Sequence, residues 1–148
     1  MDNLVPMKRG RVLGIDLGSV RVGIAISDGS GILAAPHSTL ERKPTDSDTV
    51  QEILSIAILE EVVGLVIGIP NSLSEQNKIA REQTDKFIAL LKTATELPII
   101  GIDERFTTVL ATKQLREGGY SAKDMKTKID AVAAAQILQS YLDTHGEK

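Results

Sequence analysis

Three acidic residues stand where the surrounding pattern calls for aliphatic side chains, and they come from distant parts of the chain. Asp16 lies in the run RVLGIDLGSVRVGIAISD, Arg11 to Asp28. There Leu13, Ile15 and Leu17 alternate onto one face of a strand while Val12, Gly14 and Asp16 share the other. Glu104 ends a second aliphatic run. Asp130 shares a helical stripe with Ala133, Ala134, Ile137 and Tyr141 by the three-, four- and seven-residue spacing. A carboxylate in such a setting is costly unless a cation accompanies it. Together the three make an all-oxygen donor set suited to Mg²⁺ or Mn²⁺. Two such ions ~4 Å apart can support phosphodiester hydrolysis. Taken singly, Asp16 could open a turn and Asp130 could answer the dipole of a helix start.

The remaining chemistry-bearing residues are less organised. Asp28, Asp103, Asp124 and Glu75 sit in contexts that read as structural: a turn, the neighbour of Glu104, a basic loop and a helix start. His37 and His145 are far apart and have no ligand spacing. No Gly-x-Ser-x-Gly elbow, dinucleotide fingerprint or Walker loop occurs. Lys113, Arg116, Lys123, Lys126 and Lys128 concentrate positive charge near Glu104 and Asp130, and with Arg21 and Arg105 they could rim the acids. A solvated helix face and loop would give the same pattern. With 3% aromatic residues, a stacking platform for unpaired bases is not expected.

The elements that must position these groups follow from periodicity. The first acid-bearing run predicts a hairpin turning at Gly18-Ser19, whose return strand buries Val22, Ile24 and Ile26. A third antiparallel strand is predicted over Ile32 to Leu40, with Pro36 marking an edge. A helix spans Val50 to Val62, with Ile53, Leu54, Ala57, Ile58 and Glu61 at helical spacing and a cap at Asp46 or Ser47. Gly64 to Pro70 reads as a strand buried on both faces. Ile79 to Thr95 is a helix with Ala80, Phe87, Ile88 and Leu91 inward, and Leu97 to Ile102 is a second fully buried strand. Thr107 to Glu117 is helical, stopping at Gly118-Gly119. Lys128 to Thr144 forms the last helix, with Gln136, Gln139 and Asp143 on its outer side. The fold class is therefore α/β: a five-stranded mixed sheet, three antiparallel strands then two parallel ones, with helices on both faces. Asp16 and Glu104 both fall at strand ends, where open α/β sheets gather ligands.

At 148 residues the chain suits one domain over 1–148. It has no cysteine, so disulfides and thiolate zinc sites are excluded. No run approaches a membrane span and the first nine residues lack the core of a signal peptide, so a cytoplasmic location is expected. A net charge of −3 argues against a nucleic-acid coat protein but not against a nuclease whose acids hold cations.

Four segments resemble the YqgF family: GIDLGSVRVGIAISD at Gly14 to Asp28, VIGIP at Val66 to Pro70, DERFTTVLA at Asp103 to Ala111, and KIDAVAAAQILQSYL at Lys128 to Leu142. They stand in the family's order and spacing, and the resemblance covers nearly the whole chain. The resemblance implies an RNase H-like fold and a nuclease, described in the family either as maturing the precursor of 16S ribosomal RNA or as resolving Holliday junctions. It places the family's catalytic and metal-binding acids on Asp16, Glu104 and Asp130. It also implies substrate contacts at Arg21, Arg105, Thr107 and Thr108, to which the basic Lys128 is added. One departure is visible: Asn71 to Glu75 replaces the glycine-containing loop that usually follows the Gly-x-Pro.

Three functions compete. A metal-dependent endonuclease acting on structured RNA or branched DNA accounts for the acids, and would work as a monomer or weak homodimer without a membrane. A phosphotransferase of the actin and sugar-kinase type would use Gly14 to Gly18 as a phosphate loop, but it needs two lobes. A non-catalytic ribosome- or nucleic-acid-binding module would bind without turnover.

Overall fold

The computed structural model describes residues 9–70, 75–103 and 129–145. Strands β1 (Val12–Leu17), β2 (Arg21–Ser27) and β3 (Ala34–Glu41) are followed by helix α1 (Asp46–Leu59), strand β4 (Gly64–Ile69), helix α2 (Glu75–Ala94), strand β5 (Ile99–Asp103) and helix α3 (Ile129–His145). The sheet order is β3-β2-β1-β4-β5. β1 pairs antiparallel with β2, and β2 with β3, whereas β1–β4 and β4–β5 are parallel. This is the mixed five-stranded sheet expected from the hairpins and crossovers. Among the described residues, no helix is long and apolar enough to cross a membrane.

Strand alternation divides the core in two. Leu13, Ile15, Val22, Ile24, Leu65 and Ile67 pack with α1 and α2, around the fully buried Phe87 and Leu91. On the other face, Val12, Ala25, Val66 and Ile102 pack against Ala134, Ala135, Leu138 and Tyr141 of α3. The α3 side is thin because Gly14, Gly23 and Ala25 line it, and the helix backbone sinks onto them. A β-carbon at Gly14 would lie 2.8 Å from Leu138 Cβ and 3.0 Å from the Ala134 carbonyl oxygen.

The structure corrects several sequence expectations. β3 begins at Ala34, not Ile32, and its edge position and a register shift at Ile24/Ala25 accommodate Pro36. The cap of α1 is Thr45, whose hydroxyl accepts from the Asp48 N–H, so the helix starts at Asp46. It ends at Leu59, because Glu61 adopts φ +57° and Val62 N–H closes onto the Ala57 carbonyl at 3.1 Å. Ile58 consequently faces solvent, 78% exposed. α2 starts at Glu75, four residues before the expected Ile79. β5 is a sheet edge, so only Ile102 is buried and the strand is not covered on both faces. Gln139, assigned to the outer side of the last helix, is 5% exposed and faces the sheet. Its Oε1 accepts from Ala34 N–H, and its Nε2 donates to the Ile32 carbonyl and to Asp143. That amide secures the backbone entering the edge strand, a need that helical periodicity cannot reveal.

Candidate active site

β1 delivers Asp16 to its carboxyl end, one residue before the strand stops at Leu17. The antiparallel register sets Asp16 directly opposite Gly23 on β2. The first turn of α3 lies on Gly23: a β-carbon there would stand 1.8 Å from the Asp130 carbonyl oxygen and 2.3 Å from its carbon. The absence of a side chain at residue 23 therefore lets the backbone of Asp130 approach the strand pair that carries Asp16. Both carboxylates are only partly buried.

Arg21 opens β2 at the same end of the sheet. Its Nε donates to Asp130 Oδ2 at 2.7 Å, joining positions 109 residues apart. The Asp130 carboxylate, through this hydrogen bond and its charge, raises the guanidinium pKa further, and the charge of Glu41 adds to the effect. Glu41 is the register partner of Arg21 on β3. A carboxylate at the start of α3 also meets the positive end of the helix dipole.

The turn between β1 and β2 is held from both sides. Gly18 N–H donates to the Arg21 carbonyl at 2.9 Å, and Arg42 N–H donates to the Val20 carbonyl at 2.9 Å. Arg42 Nη1 reaches the Gly18 carbonyl at 3.0 Å, and Nη2 reaches Asp46 Oδ1 at 2.6 Å. The hairpin end that bears Asp16 and Arg21 is thus fastened to the start of α1.

Of the expected site residues, Asp16, Arg21 and Asp130 gather at one lip of the sheet. Glu104, Arg105, Thr107, Thr108 and Lys128 lie outside the described residues, as do the expected helix over Thr107 to Glu117, the basic cluster from Lys113 to Lys126 and the loop from Asn71 to Ser74. Among the described residues no group of three or more acidic, histidine or cysteine side chains could hold a metal ion. Asp28, read as structural, is engaged in its own turn: Oδ1 accepts from Ile32 N–H at 2.8 Å and Leu33 N–H at 3.0 Å, and Oδ2 accepts from the Ser30 hydroxyl. His37 contacts Glu60 at the carboxyl end of α1 and does not join the acids. The direct Arg21–Asp130 pair and the role of Gly23 were not foreseen. The small residues Gly14 of β1 and Gly23 and Ala25 of β2, on one sheet face, were the available signal for the second.

Comparison with known proteins gives a consistent picture. A sequence profile of the family described as RuvX, Holliday junction resolvase, matches residues 10–144. A protein of Mycobacterium sp. (strain KMS), carrying the name "Putative pre-16S rRNA nuclease", is 42% identical over 136 residues, 91% of this chain and 80% of the relative. A Mycobacterium leprae (strain TN) protein of the same name is 41% identical over 142 residues, 95% of this chain and 76% of the relative. Among solved structures, T. thermophilus RuvC in complex with a Holliday junction superposes with a TM-score of 0.61 at 15% identity, covering 93% of this chain and 97% of RuvC. The Fowlpox virus resolvase bound to junction DNA gives 0.53 at 14% identity, covering 90% and 97%. At these identities the two structures speak for the fold.

Proposed function

The chain belongs to the RuvX family, and from that premise we propose that it is a metal-dependent endonuclease that hydrolyses phosphodiester bonds in the precursor of 16S ribosomal RNA. The observation that carries the reading is the placement of Asp16 opposite Gly23 with the backbone of Asp130 resting on that glycine. Two acidic residues remote in sequence are thereby brought to the same end of the sheet, and a guanidinium lies against one of them.

The donors fit a hard divalent cation, since carboxylate oxygens suit Mg²⁺ and Mn²⁺. Asp16 and Asp130, with Glu104 as the third acid, would hold one or two such ions. When bound, these ions supply Lewis-acid stabilisation of the reacting phosphodiester. Arg21 keeps one oxygen of Asp130 in place and offsets negative charge while the lip is approached by a polyanion. Arg105, Thr107, Thr108 and Lys128 are proposed to steady the substrate phosphates. The protein would act in the cytoplasm as a monomer or weak homodimer with nucleic acid as partner, and residues 1–148 would form one domain.

Resolution of branched DNA is the second reading, favoured by the description of the matching family. Purified protein incubated with a 16S precursor transcript and with a four-way DNA junction, each with Mg²⁺ or Mn²⁺, separates the two. Asp16→Asn should remove cleavage of the true substrate while the unfolding midpoint stays near that of the wild type. Undiminished cleavage by the folded variant would remove Asp16 from the reaction.

A further inference from the structure

On the side of the β1–β2 turn that faces away from α3, the surface opens into a cleft of about 650 Å³. Its walls include Ser19 and Val20 of the turn, Arg42 and Lys43 before α1, Asp46 in the first turn of α1, and Lys86 of α2. Among the described residues three cations and one acid line it, in a chain whose net charge is −3. Arg42 and Asp46 bond to one another at 2.6 Å and fix the wall. The surplus charge rests on Lys43 and Lys86, both exposed. Lys43 Nζ stands 3.6 Å from Glu52 Oε1, an ion pair too long for a hydrogen bond.

The shape and chemistry of this trough point to a polymer backbone. Val20 is 64% exposed and Gln83 also faces solvent, so its sides are open where a small ligand would need enclosure. Among the described residues that line it none is aromatic, so they offer bases nothing to stack on, and ammonium groups recognise phosphates without regard to sequence. It lies across the β1–β2 turn from the acidic lip. Ser19 follows Asp16 by three residues, at most about 10 Å of extended chain. A duplex strand advances that far in about three phosphates. Because Arg42 fastens the turn to the start of α1, the trough and the lip keep a fixed relation.

We infer that this trough binds the sugar–phosphate backbone of the nucleic acid a few nucleotides from the bond to be cut, with Lys43 and Lys86 as its phosphate contacts. The inference rests on the nuclease reading and adds a subsite to it.

The test is fluorescence anisotropy with full-length protein, in chelator to prevent cutting, using a labelled four-way DNA junction and a labelled 16S precursor fragment. The double variant Lys43→Ala/Lys86→Ala should bind the substrate cut by the wild type at least about ten-fold more weakly at 0.1 M salt. For DNA arms, the slope of log K against log salt should flatten by about 1.8, the loss of two phosphate contacts. Under turnover KM should rise while kcat holds. Lys92→Ala, on the last turn of α2 outside the trough, should bind as the wild type does. Wild-type affinity and salt slope in the double variant would overturn the trough and leave the nuclease reading standing. Absence of both binding and cleavage in the wild type would overturn both.

Discussion

The carbonyl oxygen of Asp130 occupies the place a side chain on Gly23 would need, 1.8 Å from the position of its β-carbon. The obstruction is backbone, so no rotamer change relieves it. Gly23→Ala should therefore push the start of α3 off the sheet, costing about 3 kcal/mol or more, at or above the usual range for overpacking. Gly29→Ala, where nothing lies within 4 Å, should leave the unfolding midpoint nearly unchanged. Chemical denaturation of the two variants side by side checks the contrast. A smaller cleavage rate in Gly23→Ala, beyond any loss of folded protein, would follow from the displaced Asp130.

The Arg21–Asp130 pair is open to solvent, at 53% and 29% of the side chains, so its contribution to stability should be small. Its weight belongs to the site. Asp130→Asn should lower metal-dependent cleavage by about 100-fold or more with little change in unfolding, and should weaken Mn²⁺ binding measured by calorimetry. Arg21→Gln should reduce cleavage less, and isothermal titration should show its divalent-ion affinity equal to or above that of the wild type, because a competing positive charge has gone. A loss of Mn²⁺ affinity in Arg21→Gln as large as in Asp130→Asn would contradict this division of roles.

Gln139 satisfies the buried Ala34 N–H and also bonds the Ile32 carbonyl at the entrance to β3. Gln139→Leu keeps the volume but leaves Ala34 N–H without its acceptor, and should destabilise the protein by about 1–3 kcal/mol in urea unfolding. Gln139→Glu should be worse, because it sets a carboxylate against the Ile32 carbonyl and Asp143, both acceptors. Equal stability of the three proteins would mean that the amide does not hold this strand.

Asp28 gives a pH dependence with a definite sign. The Ser30 hydroxyl first, and then the Leu33 and Ile32 amides, hold its carboxyl down to about 2 from an ordinary 3.8. The folded value lies below the unfolded one, so the ionised carboxylate stabilises the fold in full above 3.8 and the contribution fades as pH falls towards 2. The group is exposed, so solvent keeps the effect small. Asp28→Asn should be less stable than the wild type at pH 6, and the gap between them should close between pH 4 and pH 2 in thermal unfolding.

The order of the described strands and helices, the two-sided burial of β4, and the strand-end and helix-start positions of Asp16 and Asp130 were legible from the sequence alone, because alternation and helical spacing report which face each residue occupies. The edges were less legible. β5 looks as aliphatic as β4, and only the sheet order makes it an edge strand. Gln139 looks like an outer helix residue until a strand start is laid against it. Local sequence thus determined the elements and the oddly placed acids, since propensity and periodicity act over a few residues. Tertiary structure decided that Asp130 descends onto Gly23 beside Asp16, that Arg21 grips Asp130, and that Arg42, Lys43 and Lys86 share a trough. Those relations depend on which distant backbones come into contact, and no periodicity along the chain encodes that distance.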